Sequence, residues 1–128
     1  MNLVNEGLIP EKEALRRMDP EMARFFMHPM IDLQAEKNVI ALGMPASPGA
    51  VTGKIVFTSE EAQKAKGQGD QVILVLVEIT PEDIHGMKAA LGIRTTSGSM
   101  TSHAALLARG MGRTCIVGCK GLSVDEKK

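Results

Sequence analysis

The spacing of apolar positions changes near residue 40. From Asn2 to about Phe26, Leu3, Leu8, Ile9, Leu15, Met18, Met22, Phe25 and Phe26 recur at helical intervals, broken at Pro10 and at Asp19-Pro20. Two short helices are expected there. Two of the three phenylalanines lie in this arm, so it is expected to dock on something apolar. Residues 28–41 open with His28-Pro29, mix polar and apolar positions, and read as a linker.

From Leu42 onward the periods alternate. A loop with Pro45, Pro48 and Gly49 leads to a strand over Val51 to Phe57. Thr58 to Lys66 is a helix, with Thr58 and Glu61 as a capping box and a close near Gly67. Val72 to Val77 is apolar on both faces, as a fully buried strand requires. Thr80-Pro81-Glu82-Asp83 opens a further helix that Gly92 is expected to end. Ile93 to Thr96 and Cys115 to Val117 read as strands. Strand and helix in turn predict an α/β fold with parallel pairing and right-handed crossovers. The expected division is an arm and linker over 1–40 and one domain over 41–128. The early strand around Val51 has no helix before it, and is expected in a second sheet layer.

The most informative stretch is Gly98 to Gly112. Thr101 or Ser102 serves as N-cap, Ala104 to Ala108 is apolar, Arg109 lies in the last turn, and Gly110 stands just past the end. Met111 is expected to fold back on Leu106 or Leu107. His103 therefore sits at a helix N-terminus, just beyond the carboxyl end of a strand, where open α/β sheets bind ligands. The free N–H groups of a first turn and the helix dipole favour an anion there. The same positive end favours a neutral imidazole, whose lone pair is what attack on phosphorus requires. A histidine so placed is a phosphoryl acceptor or a plain helix-capping residue, and Gly98, Ser99, Met100 and Ser102 are the candidate phosphate loop.

Composition narrows the setting. Lys and Arg number 15 and Asp and Glu 15 in 128 residues, so no overall charge draws the chain to nucleic acid or to an anionic membrane. No apolar run approaches the ~20 residues of a membrane span, and the N-terminus is too acidic for a secretory signal, so the cytoplasm is expected. Cys115 and Cys119 are too few ligands for a metal site and read as buried thiols. No metal ligands are assigned. Lys54 and Arg113 are candidates to reach a phosphate from nearby loops. His85 reads as structural and His28 as a surface residue. Of the nine methionines, Met44, Met87, Met100 and Met111 are candidates for a surface that meets different partners in turn.

Three segments carry a resemblance. Gly98-Ser99-Met100-Thr101-Ser102-His103-Ala104-Ala105 with Ala108-Arg109-Gly110-Met111-Gly112 resembles the phosphohistidine loop and helix of the pyruvate phosphate dikinase family. Gly43-Met44-Pro45-Ala46-Ser47-Pro48-Gly49-Ala50 with Thr52-Gly53-Lys54, and Thr80-Pro81-Glu82-Asp83-Ile84-His85-Gly86-Met87, are similar to the same family in order and spacing. Related enzymes that use phosphoenolpyruvate (PEP), namely PEP synthase and enzyme I of the sugar phosphotransferase system, share the histidine helix. They usually carry Arg at the position of Met100.

The resemblance implies a three-layer β/β/α swivelling domain with His103 as the catalytic residue. It implies that His103 takes a pyrophosphoryl group from ATP, yields the outer phosphoryl to inorganic phosphate, and delivers the remaining one to pyruvate as PEP. Implied partners are an ATP-grasp nucleotide-binding domain and a pyruvate- and PEP-binding barrel, with Mg²⁺ held mainly by those domains. The chain alone is expected to support only a partial reaction. Thr101 matches the family position phosphorylated by a regulatory kinase and restored by a phosphatase. The alternatives are a carrier of the PEP synthase or enzyme I type, and a non-catalytic interaction module. Where the family usually has Arg and Gly, this chain has Ser97 and Ser99, and Leu76 replaces an Arg of the buried strand.

Overall fold

The computed structural model describes residues 7–20, 27–32 and 34–121. In the arm, α1 spans Glu11–Arg17, buries none of its residues, and carries an exposed Arg17–Glu13 ion pair of 3.0 Å. Leu15 within it and Leu8 ahead of it are exposed. The second arm helix, with Phe25 and Phe26, falls on residues 21–26, outside the described residues. The described part of the linker, 28–41, forms neither helix nor strand.

The rest is an α/β unit. Its elements are β1 (Leu42–Ser47), β2 (Lys54–Val56), α2 (Ser59–Gly67), β3 (Val72–Leu76), α3 (Ile84–Ala89), β4 (Gly92–Thr95), α4 (His103–Gly110) and β5 (Thr114–Lys120). They form one five-stranded sheet in the order β1-β5-β4-β3-β2. Strands β2 to β5 pair in parallel, each beside its successor, and β1 closes the β5 edge antiparallel.

Both early strands differ from expectation. The Pro/Gly loop holds β1, in which Pro45 stands opposite Ile116. An edge strand needs ladder hydrogen bonds on one side only, so a proline is tolerated there. The register slips twice, between Leu42 and Met44 and between Pro45 and Ser47, which hides the strand's period from a sequence pattern. The Val51–Phe57 strand shortens to β2 and pairs with β3 in the same sheet. The second sheet layer is thus not formed by β1 or β2 among the described residues.

Alternation along the buried strands decides the two faces. Ala62, Val72, Leu74, Met87, Ala90, Ile93, Ala105, Ala108, Cys115 and Val117 make one core between the sheet and its helices. Met87 is fully buried in it and leaves the proposed surface methionines. Burial pushes the Cys115 thiol up to about 11; nearby Cys119 adds to the rise and Arg109 offsets part of it. On the opposite face a groove of about 340 Å³ is lined by Ile31, Ile40, Ile55, Ile73, Val75 and Ile116. Arg94 lines it too, with a buried Nε that has no hydrogen-bond partner.

The helix caps follow local chemistry. Thr58 Oγ1 accepts from the Glu61 amide at 3.2 Å while Glu61 Oε2 accepts from the Phe57 amide at 3.1 Å. Pro81–Asp83 is a 3₁₀ turn ahead of α3, which ends at Ala89; Gly92 is the first residue of β4 rather than a helix stop. Helix α4 continues through Gly110 to a cap at Met111, and the left-handed glycine is Gly112, at φ 61°. There the Arg113 amide reaches the Ala108 carbonyl at 2.9 Å and the Gly112 amide the Arg109 carbonyl at 3.1 Å. Met111 packs partly buried against the core.

Asp83 ties α2 to the turn before α3. Its carboxylate accepts from Ser59 Oγ at 2.7 Å, the Thr80 amide at 2.9 Å and Thr80 Oγ1 at 2.8 Å. Burial alone would raise this carboxyl, but the three hydrogen bonds outweigh it and hold the pKa below its ordinary 3.8. A lowered folded-state pKa stabilises the fold fully above the unfolded value, and that contribution is lost as pH falls through the folded value. Asp83→Ala should therefore cost about 1.5 kcal/mol in urea unfolding at pH 7. The gap between variant and wild type should narrow as the titration is carried below pH 3.8.

Candidate functional site

Parallel pairing brings the ends of β3 and β4 together. The Thr96 amide donates to the Leu76 carbonyl and the Ser97 amide to the Val77 carbonyl, each at 3.0 Å, extending the pairing past both strands. The Ser97 carbonyl then accepts from Thr95 Oγ1 at 2.6 Å and from the Gly118 amide at 3.3 Å. Next comes Gly98 at φ 102°, in the left-handed region that suits glycine. It turns the chain from β4 toward α4. No non-glycine residue has positive φ among the described residues, so Ser99 sits at this position without that strain.

His103 is the first residue of α4 and is exposed. Of the two candidate caps it is Ser102 that serves: its Oγ accepts from the Ala105 amide at 3.4 Å, and its own amide donates to the Ser99 carbonyl at 2.9 Å. Thr101 is exposed, and its hydroxyl lies 3.0 Å from Ser99 Oγ. Met100 is 38% exposed. Glu78, Ile79, Thr95, Ser97, Gly98, Ser102, His103 and Ala104 line a cleft of about 20 Å³. The residues predicted for the phosphate loop thus gather around the helix N-terminus; Lys54 and Arg113 do not join them. Lys54 begins β2 and pairs with Asp70 at 2.6 Å, and Arg113 precedes β5 and donates to the Lys88 carbonyl at 3.1 Å. In a parallel sheet, residues that enter strands lie at the opposite end from the loops that leave them. His85 is exposed on α3, and His28, expected at the surface, is half-buried.

Two residues acquire a place that the sequence did not indicate. Arg109, read as a last-turn cation, reaches back along α4, where Nη2 donates to the Met100 carbonyl and Nε to the Ala46 carbonyl at 2.7 Å. One guanidinium thereby joins the His103 loop to β1. Helical side chains lean toward the N-terminus, and that direction was the available signal. Glu78 follows an apolar strand and carries no motif of its own, so only the strand pairing reveals that it shares the cleft with His103. Among the described residues no group of three or more His, Cys, Asp or Glu side chains is able to hold a metal. No helix among them is long and apolar enough to cross a membrane.

Comparison with known proteins agrees with this arrangement. Residues 68–128 match the family described as PEP-utilising enzyme, mobile domain. A pyruvate, phosphate dikinase of Rhizobium meliloti is 53% identical over 127 residues, covering 99% of this chain and 14% of the relative. That of Clostridium symbiosum is 48% identical over 128 residues, covering 98% and 15%, and pyruvate, phosphate dikinase 2 of Oryza sativa is 46% identical over 128 residues, covering 98% and 14%. The chain spans about one seventh of the length of these relatives. Over nearly its whole length the chain is therefore similar to one segment of the pyruvate, phosphate dikinases, and its residues 68–128 match the mobile domain of PEP-utilising enzymes.

Proposed function

We propose that this chain is the phosphoryl carrier of a pyruvate, phosphate dikinase, with residues 41–128 as the carrier domain and 1–40 as its arm. The observation that carries the reading is His103 at the capped N-terminus of α4, in a loop whose backbone is held from three sides. The imidazole lone pair attacks the β-phosphorus of ATP, forming an N–P bond while the P–O bond to the α-phosphate breaks and AMP departs with the electron pair. Inorganic phosphate then takes the outer phosphoryl as pyrophosphate. The enolate oxygen of pyruvate takes the inner one, giving PEP and returning the lone pair to nitrogen. Amide groups of Gly98 to Thr101 and the dipole of α4 oppose the charge of the bound phosphoryl group.

The substrates belong to partner domains, an ATP-grasp domain and a pyruvate- and PEP-binding barrel, and the carrier moves between them. A tether of fixed length makes each delivery intramolecular, at an effective concentration in the ~millimolar range. Mg²⁺ stays with those partners, because Glu78 supplies the one carboxylate of the His103 cleft. Thr101 is the proposed target of a regulatory kinase and phosphatase. A phosphate two residues ahead of His103 would repel the incoming anion. The cytoplasm is the proposed compartment, in keeping with two free, buried thiols.

Two outcomes test this reading. The chain mixed with a dikinase ATP-grasp domain and β-labelled ATP should acquire label that is acid-labile and alkali-stable. His103→Asn should acquire none, and label that persists in that variant overturns the assignment. Arg109→Lys keeps the charge but loses the fork that spans two carbonyls, so it should slow labelling on the order of tenfold and cost about 1 kcal/mol in urea unfolding.

A further inference from the structure

Strand β5 carries a bulge where it meets the His103 loop. Met44 stands opposite Val117 and Leu42 opposite Lys120, so two steps along β1 match three along β5, and within the extra step Gly118 is left-handed at φ 63°. The Gly118 amide donates to the Ser97 carbonyl at 3.3 Å. The next carbonyl of the loop, that of Gly98, occupies the place where a side chain on residue 118 would begin. A Cβ there would stand 2.8 Å from the Gly98 oxygen and 3.1 Å from Met44 Cε. The oxygen belongs to backbone, so relief requires the loop itself to move.

Peptide planarity carries this contact to the phosphate loop. The Gly98–Ser99 peptide is trans, so its N–H points opposite to its C=O. With the carbonyl against β5, the Ser99 amide points away from β5, and it has no acceptor among the described residues. We infer that Gly118 is a positioning residue of the phosphate loop, acting through this one peptide. The missing side chain seats the Gly98 carbonyl on β5 and thereby turns the Ser99 N–H outward as a donor to the phosphoryl group. The inference deepens the carrier reading and rests on it for its chemistry; the N–P bond still forms at His103.

Gly69 separates this role from the general strain of a left-handed residue. It lies in the turn between α2 and β3, at φ 86°, with nothing within 4 Å of where its Cβ would stand. As a residue that precedes a parallel strand, it is at the end of the sheet opposite His103.

Two readouts test this on the full chain. In ¹H–¹⁵N spectra, titration with inorganic phosphate should move the Ser99 amide resonance downfield in the wild type and in Gly69→Ala, and Gly118→Ala should lose most of that movement. With a dikinase ATP-grasp domain as donor, Gly118→Ala should lower the labelling rate at saturating donor on the order of tenfold, with the half-saturating donor concentration unchanged. Gly69→Ala should label at the wild-type rate. Both variants should unfold at lower urea, since each places alanine at positive φ. A Ser99 resonance that phosphate does not move in the wild type overturns the inference, whether or not Gly118→Ala folds. So does a Gly118→Ala chain that labels as fast as Gly69→Ala. A wild-type chain that responds to phosphate at Ser99 but takes no label overturns the carrier reading instead, and the loss of that response in Gly118→Ala still supports the placement of the amide.

Discussion

Parallel pairing of β2 to β5 is the constraint on which the rest of the molecule depends. Each strand after β2 starts where its predecessor started, so all the exits lie at one end of the sheet. The loops after β3 and β4 are thereby neighbours, joined by amides of Thr96 and Ser97 on carbonyls of Leu76 and Val77. The N-terminus of α4 is delivered to the same end, and His103 with it. The cations that enter strands, Lys54 and Arg113, go to the other end for the same reason.

The His103 loop depends on backbone hydrogen bonds and one guanidinium more than on side-chain packing. Ser97 is fixed through both its amide and its carbonyl, Ser102 through its amide and hydroxyl, and Met100 through its carbonyl to Arg109. A loop held in this way tolerates changes of side chain that would disrupt a packed core. Ser99 fits that account, since the position that requires left-handed backbone is occupied by Gly98. Ser97 enters those contacts through its amide and its carbonyl, so they do not depend on its side chain.

The two faces of the sheet differ in kind. Helices cover one with a core rich in alanine, where Ala62, Ala90, Ala105 and Ala108 let the elements approach closely. The other bears isoleucines and valine around a groove, with Arg94 among them and His28 to Ile31 of the linker along a neighbouring groove. A strand that reads as apolar on both sides, Val72 to Leu76, is consistent with either arrangement, because alternation reports that both faces are apolar and not what lies against them.

The sequence by itself determined what depends on neighbours in the chain. Thr58 with Glu61, and Thr101 or Ser102 ahead of the apolar run at Ala104, mark helix starts that form, and Pro81 after Thr80 opens a 3₁₀ turn that leads into one. The α/β class follows from their alternation with strands, and His103 at a helix N-terminus follows from the glycine, hydroxyl and apolar residues around it. Only the tertiary structure decided what depends on pairing and on side-chain reach. Strand β1 is stabilised by β5 despite Pro45 and two register slips, so no local period announces it. Arg109 acts at Met100 and Ala46, nine residues back and across to β1, and Glu78 borders the His103 cleft because β3 lies beside β4. Local capping and periodicity are short-range energies written in adjacent residues. Which distant groups converge is set by sheet order, which no single segment encodes.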